Sequence, residues 1–340
     1  FMIWRVNMKS AYEVECRAKE GKHINTIKED LEALVDKRLH WTLLTLPILG
    51  IVIFTILPLV FMICMAFTSY SKVGDHLTIF HWVGLKNFST VLGMGNSIGK
   101  TFWSVLGWTL IWAVLATFLN YILGMILAIV INRKTTRIKG FWRFCFMLSA
   151  AIPQFVSLLL MRTMLKDNGL INNLLVQAGL ISSPLPFLTN ATWARATVVI
   201  INLWVGIPFT MMQVTGILQN IPGELYEAAR VDGAGPVTIF FKITLPYMLF
   251  VTTPYLITTF TGNINNFNVI YLLTAGAPVP VGATAGKTDL LVTWLYKLTV
   301  DLQYFNVGAV VGILTFVILA VVSLITYRNT GSYKNEEGFQ

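Results

Sequence analysis

The stretch Glu227-Ala-Ala-Arg-Val-Asp-Gly233, followed by Ile243-Thr-Leu-Pro246, is a charged segment between two long apolar segments. Pro222 suits the first turn of a helix, where its missing N–H has no intrahelical partner to lose. Glu227 lies near that N-terminus and complements the helix dipole. Gly233 can adopt positive φ and therefore ends the helix. The pattern predicts a short helix of two to three turns, tied at both ends to apolar segments.

The composition indicates an integral membrane protein. Of 340 residues, 55% are hydrophobic and only 12% are charged, whereas soluble domains carry about 25% charged residues. Apolar runs long enough to cross a bilayer as helices predict an all-α, polytopic transmembrane bundle with six core spans. The predicted spans cover residues 41–67, 101–131, 141–165, 194–219, 247–273 and 306–327. Several of them contain proline, which predicts kinked helices.

The distribution of Lys and Arg predicts the orientation in the membrane. If the N-terminal segment is cytoplasmic, 17 of the 25 Lys and Arg residues lie on the cytoplasmic side of the membrane. Cytoplasmic loops of membrane proteins show such an excess of Lys and Arg. The charged segment and both termini would then face the cytoplasm of a bacterial cell. The net charge of +9 also raises nucleic-acid binding as an alternative, but these cations flank apolar runs and no nucleic-acid partner is expected.

Three regions are predicted along the chain: residues 1–40, 41–330 and 331–340. The first is a cytoplasmic segment that begins like the end of an earlier membrane helix and continues into an amphipathic helix at 24–38. The second is the transmembrane domain with a cytoplasmic loop at 220–246, and the third is a cytoplasmic tail. An apolar pattern at 290–298 predicts a helix anchored at the outer membrane surface, or alternatively a contact for an external protein.

Polar side chains at membrane depth predict a transport path. Thr259, Asn263 and Asn266 are spaced to share one face of a helix, and Gly262 opens space on it. Amides and hydroxyls can exchange hydrogen bonds with sugar hydroxyls, although such groups also serve simply to join neighbouring helices. None of the six runs contains Asp or Glu, so a carrier driven by protons or ions is disfavoured.

The spacing of the charged segment resembles a known signature. It reads E-A-A, three residues, G, nine residues, I-x-L-P, and is similar to the EAA motif of the membrane subunits of binding-protein-dependent ABC importers. The resemblance implies that this loop docks on a separate cytoplasmic ATPase. The implied coupling residues are Glu227, Ala228, Ala229, Asp232 and Gly233.

A second resemblance narrows the family. The stretches Asn265–Pro278 and Thr288–Lys297 resemble the larger permease subunit of maltose and maltodextrin importers, the MalF-like group, and imply its type I ABC importer fold. By position, the implied sugar contacts are Asn202, Val205, Gly206, Phe209, Thr259, Gly262, Asn263 and Asn266. Phe209 stands where that group can have tyrosine, and Gly262 where it can have an aromatic residue, so these two positions depart from the pattern of the group.

The resemblance also implies the partners: a second permease subunit, two copies of the ATPase, an extracellular sugar-binding protein and membrane lipid. The chain has no G-x-x-x-x-G-K-[ST] motif, so ATP and Mg²⁺ are expected in the ATPase. We expect no catalytic residue, cofactor or metal in this chain, and its three cysteines are scattered. Malto-oligosaccharide is the first expectation for the cargo, and galacto-oligosaccharide or raffinose-type sugars are alternatives. A secondary carrier and a membrane scaffold without a path are more distant alternatives.

Overall fold

The structure is a computed structural model of the chain. It describes residues 2–22, 26, 28–29, 32, 35–37, 39–73, 76–77, 80–133 and 135–328. The predicted amphipathic helix at 24–38 falls mainly outside the described residues, and the predicted tail at 331–340 falls wholly outside them. The described residues form two compact units, one within 1–62 and one within 63–340.

The described residues are mostly helical. The α-helices are α1 Met2–Lys19, α2 Leu39–Ile51, α3 Leu57–Met65, α4 Lys86–Leu92, α5 Ser97–Val114, α6 Asn120–Asn132, α7 Lys139–Ala151, α8 Gln154–Met164, α9 Leu170–Gln177, α10 Ala191–Gln219, α11 Gly223–Val231, α12 Pro236–Ile239, α13 Leu245–Ile264, α14 Phe267–Leu273, α15 Leu291–Tyr296 and α16 Phe305–Arg328. Wider π-helical turns cover Val52–Ile56, Leu115–Leu119, Phe240–Thr244 and Lys297–Asp301. A small antiparallel ladder joins β1, Lys72–Val73, to β2, His76–Leu77.

Five helical segments are long and apolar enough to cross a membrane. They are Thr42–Met65, Ser97–Asn132, Ala191–Gln219, Pro236–Leu273 and Phe305–Arg328. The third predicted span, 141–165, is not one continuous helix: α7 and α8 meet at an angle of 83°. Pro153 lies at this break, where it cannot donate the backbone hydrogen bond that would continue α7.

Two π-helical turns end immediately before a Leu-Pro dipeptide. Val52–Ile56 precedes Leu57-Pro58, and Phe240–Thr244 precedes Leu245-Pro246. A proline inside a helix clashes with the carbonyl four residues earlier, and a wider turn moves that carbonyl away. These helices therefore continue through proline.

Two apolar clusters of described residues lie in the core of unit 63–340. We call the end of this unit that carries α11 the α11 end, and the end that carries residues 274–290 the loop end. The loop-end cluster comprises Trp108, Trp112, Ala116, Leu158, Leu165, Val198, Ile201, Val269, Ile270, Leu273 and Leu290. The α11-end cluster comprises Tyr121, Met125, Ala128, Ile131, Met211, Val214, Ile221 and Met248.

Small residues let α6 and α10 approach closely. A methyl group added at Gly206 would lie 2.6 Å from Oδ1 of Asn120. One added at Gly124 would lie 2.7 Å from Cβ of Thr210. Each helix thus presents a glycine to a larger side chain of the other, which is a common way to join membrane helices.

A buried ion pair organises the loop end. Oδ2 of Asp289 lies 2.6 Å from Nζ of Lys297 and accepts a hydrogen bond of 2.7 Å from the Gly286 N–H. Oδ1 accepts one of 2.9 Å from the Thr293 hydroxyl. Because Asp289 is 1% exposed, these partners compensate its loss of water.

The helix at 290–298 does not lie on the membrane surface as predicted but packs inside the protein. Leu290, Leu291, Trp294 and Leu298 are all buried in the protein. The prediction that they anchor a helix at the membrane surface is wrong, because the same apolar spacing also suits a helix that packs on α5 and α16.

The Gly206 contact predicts a packing defect. Gly206→Ala should destabilise the protein by about 1–3 kcal/mol, since the new methyl group overlaps Asn120. Gly216 is the matched control, because it lies on the same helix with open space around it, and Gly216→Ala should be neutral or stabilise by up to about 1 kcal/mol. Thermal unfolding in detergent measures both. Equal changes in the unfolding temperature of the two variants would contradict the close contact between Gly206 and Asn120.

The ion pair predicts a large loss of stability. Asp289→Leu should cost about 3–5 kcal/mol, because it leaves Lys297 partly buried without its anion. Asp301→Leu, at an exposed position, should change stability by less than about 0.5 kcal/mol. The double variant Asp289→Leu/Lys297→Met should recover most of the loss in thermal unfolding. No recovery would show that the pair is not the source of the defect.

Candidate functional site

A band of polar side chains separates the two apolar clusters. Along α5–α6 and along α10, the sequence passes from loop-end cluster residues through polar residues to α11-end cluster residues, and along α13–α14 it passes in the opposite order. The band comprises Thr117, Asn120, Asn202, Thr210, Thr252, Tyr255 and Asn263. Polar groups at this depth are costly unless they find partners, so their hydrogen bonds show which of them the bundle itself uses.

Asn263 is bonded to the neighbouring span. Its Nδ2 donates to the Thr117 hydroxyl at 3.0 Å, and its backbone carbonyl accepts from the Trp112 indole at 3.1 Å. Thr117 lies in the π-helical turn Leu115–Leu119, a type of turn often found at functional positions. The amide of Asn263 therefore joins two spans.

The fifth predicted span is broken where it was expected to be continuous. Helix α13 ends at Ile264, and Asn266 caps the start of α14 by accepting from the Val269 N–H at 3.2 Å. The prediction that Thr259, Asn263 and Asn266 share one face of a single helix is therefore wrong for Asn266. The two amides are still neighbours, because Nδ2 of Asn266 lies 3.5 Å from Oδ1 of Asn263.

The eight predicted contact residues differ in exposure. Asn202 and Asn263 are buried, Val205, Gly206, Thr259 and Asn266 are half-buried, and Phe209 and Gly262 are exposed. Gly206 is in contact with Asn120, whereas no atom of a described residue lies within 4 Å of a methyl group added at Gly262. Of this set, Phe209 and Gly262 present the most surface.

Sequence reasoning missed Asn120, Thr117 and the Tyr121–Thr252 pair. The Tyr121 and Thr252 hydroxyls lie 2.7 Å apart, and Asn120 Nδ2 donates to the Ala116 carbonyl at 2.7 Å. Oδ1 of Asn120 is buried without a hydrogen-bond partner among the described residues. An amide inside the apolar run 101–131 was the signal that could have found it.

The charged segment forms helix α11. Pro222 lies just before its first residue, with extended backbone, rather than inside the first turn as predicted. Glu224 lies in the first turn and Arg230 in the last, and both positions complement the helix dipole.

The end of α11 follows the predicted turn chemistry. Gly233 has φ +75°, a conformation that residues with Cβ rarely adopt. Its N–H donates to the Arg230 carbonyl at 3.1 Å, and the Ala234 N–H donates to the Ala229 carbonyl at 2.9 Å. These bonds satisfy carbonyls that the helix end would leave free, and the chain then starts α12 at Pro236.

Most of the predicted coupling residues are open to a partner. Glu227, Ala228, Asp232 and Gly233 are exposed, and Ala229 is half-buried. Tyr226 faces the other way, and its hydroxyl lies 3.1 Å from that of Thr244. The helix is therefore fixed to the start of α13 through one face and exposes the other.

A groove of about 930 Å³ lies beside α11. Tyr226, Arg230, Val237, Phe240 and Phe241 contribute to its walls together with residues of α6 and α10. None of the eight predicted sugar contacts lines it. Within the described ranges, no group of three or more His, Cys, Asp or Glu side chains could hold a metal ion.

The family model "Binding-protein-dependent transport system inner membrane component" matches residues 120–330. Two relatives come from Bacillus subtilis: a galactooligosaccharides transport system permease protein, GanP, and a maltodextrin transport system permease protein, MdxF. The first is 35% identical over 98% of this chain and 80% of its own length. The second is 34% identical over 99% and 79%. MalF of Escherichia coli, a maltose/maltodextrin permease, is 35% identical over 73% of this chain and 49% of its own.

A solved structure has a similar fold. It is a bacterial alginate ABC transporter in complex with its pentasaccharide-bound periplasmic protein, and one chain matches with a TM-score of 0.70 and 23% identity. The match covers 89% of this chain and 98% of that chain. The predicted all-α importer fold and the resemblance to MalF-like permeases are confirmed. The chain belongs to the family of inner membrane components of binding-protein-dependent transport systems.

Proposed function

We propose that this chain is a permease subunit of an ATP-driven sugar importer and forms half of an oligosaccharide path. The observation that carries the proposal is the match of the whole chain to oligosaccharide permeases at 34–35% identity. The relatives are transport subunits, so this chain works with a substrate-binding protein and an ATPase that hydrolyses ATP. A second, similar permease completes the pair.

Two cargoes are supported. Malto-oligosaccharide is our first proposal, because the stretches Asn265–Pro278 and Thr288–Lys297 resemble maltodextrin permeases. Galacto-oligosaccharide is the second, because a galactooligosaccharide permease is 35% identical over 98% of the chain. Both are neutral chains of pyranose rings, which suits a path without carboxylates in the predicted spans.

The surface proposed to face the sugar is the exposed edge of the polar band. Phe209 supplies an aromatic face for pyranose packing, and Gly262 leaves room for the ring. Thr259, three residues before Gly262, is half-buried and offers a hydroxyl. A one-sided surface of this kind supports a path that is enclosed only when the second permease is present.

Coupling to the ATPase is proposed to run through α11. Its exposed face carries Glu227, Ala228 and Asp232, while Tyr226 holds the opposite face to Thr244. Glu227 is exposed and forms no ion pair with a described residue, so its carboxylate is available to a basic group of the ATPase. The cytoplasmic placement of α11 agrees with the bias of Lys and Arg.

Substitutions in α11 test the coupling proposal. Glu227→Ala should uncouple or detach the ATPase, and Gly233→Pro should do the same because proline cannot adopt φ near +75°. Glu224→Ala is the control, since it removes an exposed carboxylate from the same helix. Co-purification of the ATPase and sugar transport are measured. Full transport and unchanged co-purification in both variants would contradict the proposal.

Substitutions in α13 test the path. Asn263→Leu should reduce sugar transport more than Asn265→Leu, and it should also destabilise the protein by about 1–3 kcal/mol because the Thr117 hydroxyl loses its partner. Gly262→Leu should reduce transport without lowering the unfolding temperature, since that position is open. Gly107→Leu, at another exposed helical glycine, is the control. Equal transport in the Gly262 and Gly107 variants would contradict the assigned surface.

A further inference from the structure

A second cavity opens at the loop end of unit 63–340, away from α11. Its volume is about 450 Å³. Its walls come from the N-terminal part of α5, the start of α10 and the loop at 280–289. The polar and charged residues that line it are Ser97, Lys100, Thr101, Ser104, Arg195, Lys287 and Asp289.

The charges in this cavity do not balance. Lys100, Arg195 and Lys287 line it together with a single acid, Asp289. Asp289 is already neutralised by Lys297, which is 2.6 Å away and is not part of the lining. Among the lining residues, three cations therefore face the cavity without a carboxylate of their own.

The central cation is held in place. Nε of Arg195 donates to the Lys287 carbonyl at 2.9 Å, and the guanidinium carbon lies 4.5 Å from the centre of the Trp108 ring. Stacking on the ring and the backbone bond fix the plane of the guanidinium and leave its terminal nitrogens for a ligand. The guanidinium also covers the indole face, so a pyranose cannot stack there.

Lysine side chains on two further elements surround this fixed group. Lys100 and Lys287 are exposed and come from α5 and from the loop, so their flexible ammonium groups can close on an anion that Arg195 holds. Planar, two-point recognition by arginine suits a carboxylate or a phosphate, and a protein partner offers the carboxylate. A cavity of this size can hold an acidic side chain together with the residues next to it in sequence. The tip of a protein loop presents such a group.

We infer that this cavity receives a carboxylate side chain from an acidic segment of the extracellular binding protein. The inference rests on the proposed function, which places the loop end outside the cell. The site would orient the binding protein over the path and speed its encounter with the complex, since charge complementarity acts mainly on association.

The test titrates the reconstituted importer with its binding protein in nanodiscs of zwitterionic lipid and follows ATP hydrolysis. The double variant Lys100→Gln/Lys287→Gln should raise the half-maximal concentration of binding protein roughly tenfold at low salt. It should also flatten the dependence of that concentration on salt. Lys100→Arg/Lys287→Arg should restore both, which a variant that merely misfolds would not do.

The control variant is Lys86→Gln/Lys166→Gln, which removes two exposed lysines outside the cavity and should leave the titration unchanged. Equal titrations of the cavity and control variants would overturn the inference while the proposed function stands. So would a defect seen only in nanodiscs with anionic lipid, which would assign the cavity to a lipid headgroup. A wild-type complex that ignores its binding protein would instead contradict the proposed function itself.

Discussion

The hydrogen bond from the Asn263 amide to the Thr117 hydroxyl, 3.0 Å long, lies where apolar surroundings make an unpaired polar group costly. Both residues lie between the two apolar clusters. Thr117 belongs to the π-helical turn Leu115–Leu119, and Asn263 lies close to the end of α13. The path proposed for the sugar needs polar groups at this depth. The bundle therefore uses some of these groups for its own cohesion and leaves the exposed edge, with Phe209 and Gly262, for a ligand and a partner.

Helices α10 and α13 carry part of the polar band and flank α11, the helix proposed to contact the ATPase. Helix α10 leads directly from Asn202 and Gly206 to α11, and α12 leads back through Phe240–Thr244 to α13. Because α11 is fixed through Tyr226 to Thr244, a rigid displacement of α11 is transmitted to α10 and α13 together. Such motion of packed elements is a common means of switching between conformations. In this proposal, nucleotide-driven movement of the ATPase opens and closes the path without any chemistry in this chain.

Local turn chemistry was predictable from sequence, whereas packing was not. The end of α11 followed from Gly233, because its positive φ is a property of one residue. The burial of Leu290 and Trp294 did not follow, since apolar spacing is the same for a helix on a membrane and a helix inside a protein. The break at Asn265–Asn266 was missed because spacing arguments assume a continuous helix. Pro153 indicated a bend, but only packing sets its angle of 83°.

Asn120 shows a further limit of sequence reasoning. It stands in a run that is otherwise apolar, and nothing in its neighbours along the chain shows that Gly206 of a distant helix makes room for it. Its role is defined by tertiary contact. The sugar contacts carried over from a family resemblance have the same limit, because a position in a motif does not show whether its side chain faces the path or a neighbouring helix.

The most direct test of the proposed function is ATP hydrolysis by the reconstituted complex with its binding protein, measured across linear maltodextrins, galacto-oligosaccharides and raffinose. We expect an oligosaccharide to stimulate hydrolysis, with maltodextrins first. Stimulation by galacto-oligosaccharides alone would support the importer function and replace malto-oligosaccharide as the proposed cargo. A complex that no sugar in the panel stimulates would contradict the claim that this chain is the permease of a sugar importer.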